Sequence, residues 1–231
     1  MLVDLLLNAL AAGLLLGAFY AAVTVGVSIS FGILDIVNIA HPAFIILGSY
    51  IAYIVNTRLG VDPIVASIIM LPAFYALGAL VYQVYYASFE KYGQESLRGL
   101  AFFFGLLFVT EVTLILVFGV DYRYVEAAYI GPSLHVGVVD LPLRMLVPCL
   151  VALGVFGALQ LYLSRTFIGR VFAICVLGGL QSLTGTVIAA ILLGVVESIT
   201  ATFYGPSWAP AVSFGFLLLT LAFRPAGLLG R

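Results

Sequence analysis

Charge is scarce in this chain. Of 231 residues, 8% are Asp, Glu, Lys or Arg, while 64% are hydrophobic and the mean hydropathy is +1.25; a soluble domain carries roughly a quarter charged residues. No soluble fold has an interior that hides so much apolar surface. Nine basic and ten acidic residues give a net charge of -1, which leaves no basic face for nucleic acid and no acidic tail. Lysine occurs once, at Lys91 behind Glu90, so the G-x-x-x-x-G-K-[ST] phosphate cradle is missing and this chain does not bind ATP in that manner. There are two cysteines, Cys149 and Cys175, both inside apolar runs. They are too few for a disulfide framework or a zinc site and read as packing residues. His41 and His135 lie far beyond any helical metal spacing. No metal, no cofactor and no catalytic residue is therefore assigned; H-E-x-x-H and G-x-S-x-G are both absent. An enzyme working inside a membrane would need a nucleophile and a base that the fold brings together.

What the chain has in abundance is uncharged length. The runs are Leu5 to Leu34, Ile36 to Thr57, Pro63 to Phe89, Gly99 to Val120 with Glu111 inside, Met145 to Ser164, Val171 to Val196 and Ser198 to Phe223. A hydrocarbon core roughly 30 Å thick takes about 20 helical residues to cross, and helix satisfies every backbone N–H and C=O within one segment. The pattern predicts an all-α membrane protein, a polytopic helical bundle of about seven spans forming a single domain over 1–231. The first run is not expected to be a cleaved signal peptide, since Asp4 stands where a basic flank belongs and the run is too long.

Alternating the seven spans puts Lys91, Arg98, Arg165, Arg170, Arg224 and Arg231 on one side and Arg58, Arg123 and Arg144 on the other. Cytoplasmic loops are enriched in Lys and Arg, so the C terminus is predicted to be cytoplasmic and the N terminus external. The connection from Asp121 to Arg144 then faces outside, an ordered loop with Tyr122, Tyr124, Tyr129, Pro132 and Pro142. Its tyrosines either rest at the lipid headgroups or dock a partner.

Small residues recur four apart: Gly13 and Gly17, Gly26 and Ser30, Gly185 and Ala189, Ala190 and Gly194. In lipid such notches let helix backbones pack closely.

Smooth helix is expected to fail twice. Between Ser28 and Gly48, Gly32, Asp35, Asn38, His41 and Pro42 fall close together, and Pro42 disfavours helix at His41. Broken backbone at membrane depth is tolerated only where protein buries it or water reaches it. The segment either lines a cavity or is a short surface loop between two helices. The second place is Val176 to Gly194, where Gly178, Gly179, Gln181, Ser182, Thr184 and Gly185 interrupt an apolar run. Glycine-interrupted spans in both halves of a transporter point to a central binding site; the alternative is a pair of membrane-dipping half-helices. Two acids stand apart, Glu111 midway along its span and Glu197 between two apolar runs. Each is either functional or held by a structural hydrogen bond, for Glu111 from Thr110 or Thr113 neighbours. With no constellation for chemistry, moving a solute across the bilayer is the simpler role.

The segment Gly26 to Tyr53 resembles the N-terminal signature of the LivH-type permeases of branched-chain amino acid ABC importers, G-L-x-L-x-F-G-x-x-x-x-x-N-F-A-H-G. Gly26, Phe31, Gly32, Asn38, Ala40 and His41 match. SRTFIGR at Ser164 to Arg170 is similar to the family's basic segment, VLGGLQSLTGTVIAAILLGVVES at Val176 to Ser198 to its V-L-G-G-x-G-S-x-x-G segment, and the ending RPAGLLGR to its R-P-x-G-L-F-G. Pro42, Ile39 and Gln181 depart from it locally. The larger departure follows Arg170, where the family has a cytoplasmic helix rich in Ala, Arg and Glu that docks on the ATPase, followed by further spans. Here the chain runs straight into VFAICVLGGL, so a segment is missing or deleted between 170 and 171, or residues were dropped there and the chain renumbered.

The resemblance implies a permease subunit in the plasma (inner) membrane of a prokaryote. Its partners would be a second permease subunit, identical or homologous, two ATP-binding subunits and a periplasmic or extracellular solute-binding protein. It implies a substrate pathway at Gly32, Asn38 and His41, faced by Ser182, Thr184 and Gly185, with Arg165 and Arg170 toward the ATPase. Urea and short amides are rival cargoes within the same fold; an uncoupled channel or truncated paralogue is the rival role.

Overall fold

The computed structural model describes residues 2–34, 38–92, 96–165 and 183–223. Seven α-helices lie within them: α1 (Leu2–Leu34), α2 (His41–Leu59), α3 (Pro63–Ser88), α4 (Ser96–Phe118), α5 (Leu143–Arg165), α6 (Leu183–Tyr204) and α7 (Ala209–Phe223). Five are long and apolar enough to cross a membrane, in α1, α2, α3, α4 and α6, while α5 and α7 contribute shorter apolar stretches. The protein is an all-α polytopic membrane protein, as the uncharged runs predict.

Two boundaries differ from expectation. The second span begins at His41 and not at Ile36, because Pro42 lacks a donor and fits the first turn, where N–H groups have no helical partner. Glu197 does not separate two spans. α6 runs through it to Tyr204, and the chain turns instead at Gly205, whose φ of 96° only glycine adopts readily. A carboxylate ends an apolar run on paper but not in space once a neighbouring helix binds it.

The chain forms two compact units, one of Met1–Leu34 with Ala128–Arg231, the other Asp35–Ala127. In the first, α1 packs along α6. Residues rising along α1 meet residues falling along α6: Ala9 C=O accepts from Ser198 Oγ at 2.8 Å and Ser28 Oγ donates to Thr186 Oγ1 at 3.3 Å. The helices are antiparallel, and glycines set their separation. A methyl group on Gly13 would sit 2.7 Å from Val195 Cα, one on Gly17 2.6 Å from Ile191 Cα, and one on Gly194 2.6 Å from Gly17 Cα. Apolar contact brings no hydrophobic gain in lipid, so this backbone approach is what joins the two helices.

The connection from Asp121 to Arg144, expected as an ordered loop, contains a hairpin. β1 (Ser133–Val136) pairs antiparallel with β2 (Val139–Pro142), turning at Gly137 with φ 64°. His135 Nδ1 and the Asp140 carboxylate pair across it. Asn8 clamps the hairpin to α1, donating to Val138 C=O at 3.0 Å and accepting from Asp140 N–H at 2.6 Å. The start of α1 and the connection before α5 therefore lie at the same end of this unit.

In the second unit α2 and α3 are joined by a tight turn. Gly60 ends α2 at φ 65°, and Asp62 caps α3 by accepting from Ile64 N–H at 2.8 Å, with Pro63 in the first turn. α2 and α4 run parallel, and Tyr50, midway along α2, stacks on Phe118 at the end of α4 at 4.3 Å between ring centres. Asn56 near the end of α2 donates to Glu126 C=O at 3.0 Å and accepts from Glu126 N–H at 3.3 Å. α3 and α4 close on an aromatic cluster in which Tyr85 lies 5.3 Å from Phe103 and 6.2 Å from Phe102; such pairs contribute about 0.5–1.5 kcal/mol each beyond area. Gly99 lets the Tyr85 ring in, since a methyl there would be 2.8 Å from Cε2.

Candidate solute pathway

In the second unit the first break is packed and not splayed. Ala40 is fully buried beneath Tyr85 and Phe103, the Asn38 carbonyl accepts from His41 N–H at 3.4 Å, and Ala40 C=O accepts from Phe44 N–H at 3.2 Å. This hydrogen-bonded turn delivers the chain into α2. Asn38 Oδ1 is buried with no hydrogen-bond partner among the described residues. A buried amide oxygen without a partner costs about 1–3 kcal/mol, and a side chain held at that cost usually has a further reason to be there.

α2 has 19 residues, hence a length of about 28 Å, close to the thickness it must cross. Tyr50, nine residues past His41, stacks on Phe118, seven residues past Glu111, so in these parallel helices His41 and Glu111 lie close to the same level.

A groove of about 300 Å³ opens beside that connection, between α2 and α4. Pro42, Ala43, Ile46 and Tyr50 line one wall, and Leu107, Glu111, Leu114 and Ile115 the other. The hydroxyls that were candidates to bind Glu111 are otherwise engaged: Thr110 donates to Leu106 C=O at 2.8 Å and Thr113 to Val109 C=O at 2.6 Å, both within α4. Among the described residues the Glu111 carboxylate has no hydrogen-bond partner.

The other assigned residues belong to the first unit or lie outside the described residues. Gly32 is in the last turn of α1, Thr184 and Gly185 in the first turn of α6, and Arg165 ends α5. Arg165 is exposed, placed where a cation complements the helix C-terminal dipole. Ser182, Arg170, Asp35 and Cys175 lie outside the described residues. Thr186, one residue past Gly185, was not singled out by sequence, and Ser28 reaches it from α1. Glu197, unlike Glu111, has a structural partner: Tyr20 donates to its carboxylate at 2.9 Å. A tyrosine inside an apolar run opposite an acid is a signal, but only the helix pairing shows which tyrosine.

No family model matches the chain, and no solved structure matches it. It is similar to the "High-affinity branched-chain amino acid transport system permease protein BraD" of Pseudomonas aeruginosa, with 26% identity over 97% of this chain and 96% of that protein. The likeness runs from end to end, so the permease motifs are not isolated coincidences. The alignment spans 295 positions while this chain has 231 residues, so at least 64 positions, the difference of the two, face no residue here.

Proposed function

We propose that this chain, a relative of the LivH-type permeases of branched-chain amino acid ABC importers, carries branched-chain or other hydrophobic amino acids across a prokaryotic plasma (inner) membrane. The observation that carries this reading is the end-to-end likeness to BraD, a branched-chain amino acid transport system permease by its name.

In this reading a solute-binding protein delivers the amino acid from outside to a pair of permease subunits, and two ATP-binding subunits drive the pair between outward-open and inward-open states. The chain supplies no chemistry. It supplies contacts that differ between the two states, which is all that a driven change of access requires. Gly32, Asn38 and His41 with Ser182, Thr184 and Gly185 line the route, and Arg165 and Arg170 flank the ATPase contact. The partnerless oxygen of Asn38 supports this, as does the groove beginning at Pro42. An external N terminus and a cytoplasmic C terminus follow from the basic residues; the Asn8 clamp on the hairpin supports the alternation on which that count rests.

One observation favours a second reading. The 64 or more unmatched positions are enough for the coupling helix and adjoining spans that the motifs expect after Arg170, and a chain lacking them is an uncoupled channel or a truncated paralogue. Uptake of labelled L-leucine and of urea into vesicles holding the chain with its ATP-binding and solute-binding partners separates the readings. ATP-dependent leucine uptake is the expected result. Downhill flux indifferent to ATP establishes the uncoupled form, and urea uptake without leucine uptake overturns the choice of cargo.

A further inference from the structure

Glu111 lies seven residues before the end of α4 at Phe118, about 10 Å inside the span at 1.5 Å per residue. Glu111 is exposed on its helix, and a carboxylate on an apolar span must be protonated, paired or hydrated. Lys and Arg are absent from every one of the chain's apolar runs, and none of the other residues lining the groove is charged. Nor do the neighbouring threonines serve, since both hydroxyls are turned to the backbone of their own helix. What Glu111 does have beside it is a groove of about 300 Å³, apolar along Ile46, Leu107 and Leu114, with Tyr50 near its outer end. That volume matches the lower end of small-ligand sites, and one charge in an apolar cleft is the usual composition of a site that fixes orientation.

We propose that the Glu111 carboxylate is the counter-ion for the ammonium group of the transported molecule, whose aliphatic side chain lies in the groove between α2 and α4. The assignment rests on the amino-acid reading above and deepens it, because it selects for a primary ammonium joined to an apolar body. Urea and neutral amides carry no such charge.

Ile46→Cys places a thiol on the groove wall, and its labelling by a maleimide, above the background of the native cysteines, reports occupancy in the full chain in lipid nanodiscs. L-leucine and leucinamide, which both keep the ammonium, are expected to slow labelling at least fivefold, while 4-methylpentanoate, which lacks it, is not. Adding Glu111→Gln abolishes the protection and Glu111→Asp restores part of it, a rescue that a merely structural role for the acid does not produce. Equal protection by 4-methylpentanoate, protection that survives Glu111→Gln, or no protection by any of the three overturns the assignment. Leucine uptake by the complete importer is measured in parallel. Uptake without protection removes the site and leaves the function; protection without uptake keeps the site and removes the function.

Discussion

Tyr20 donates its phenolic hydrogen to the carboxylate of Glu197 across 2.9 Å, joining residues 177 apart in the chain. The bond crosses from α1 to α6 within the spans and explains why an acid sits inside a helix that must cross lipid. Tyr20→Phe leaves that carboxylate without its donor and is expected to destabilise the first unit by about 1–3 kcal/mol, the cost of an unsatisfied buried group. Titrated unfolding in mixed micelles measures it. In the double variant Tyr20→Phe with Glu197→Leu the loss should be smaller than the sum of the single losses, because the second change removes the orphan. Additive losses show that the bond does not link the helices.

The glycine contact between the same helices gives a sharper contrast. Gly17→Leu forces a side chain against the Ile191 backbone, and overpacking of this kind costs about 1–3 kcal/mol where neighbours can shift. Here the neighbour is backbone, so the upper end or beyond is expected. Gly78→Ala, at a site with nothing within 4 Å, is expected to be neutral. Thermal inactivation of the two variants in one detergent reports the difference. Equal stability of both removes the close approach as the source of α1–α6 adhesion.

Asn56 holds Glu126 through both its backbone groups, and Arg123 stands three residues away, bonded to Phe118 C=O at 3.0 Å. Asn56→Ala frees this stretch, at about 1 kcal/mol per exposed hydrogen bond or less. Cleavage by trypsin at Arg123 should then quicken by about fivefold, as local opening becomes cheaper. Protease added outside intact cells should cut there and protease inside inverted vesicles should not. The reverse pattern overturns the external placement of the loop.

These pairings show where sequence is sufficient and where it stops. Gly13, Gly17, Ala190 and Gly194 stand out by spacing alone, and all four meet in space, because close packing in lipid has few residue types to draw on. The turn from Gly60 to Pro63 is written in local chemistry and forms where that chemistry puts it. Glu197 misled because a charge ends a hydropathy run whether or not something binds it, and its partner is far off in sequence. The hairpin at 133–142 went unread for a related reason: its anchor, Asn8, lies on another element. Asn38 and His41 stand out as pathway candidates from the break around Pro42. The groove beside them was not, since it arises from α2 and α4 lying parallel, and no property of either helix alone contains it.

Asn38 offers a test in which structure and function pull in opposite directions. Its Oδ1 is buried without a partner among the described residues, so removing the oxygen removes a penalty. Asn38→Leu is expected to leave stability unchanged or raise it by about 1–3 kcal/mol. If the amide is kept to contact a passing solute, the same change should lower leucine uptake about tenfold, and His41→Ala, at the start of α2, should lower it as well. Melting temperature and uptake are read on the same preparation. A stabilised protein with reduced uptake assigns the amide to transport. A destabilised protein with normal uptake assigns it to packing, and Asn38 and the turn into α2 then leave the solute route.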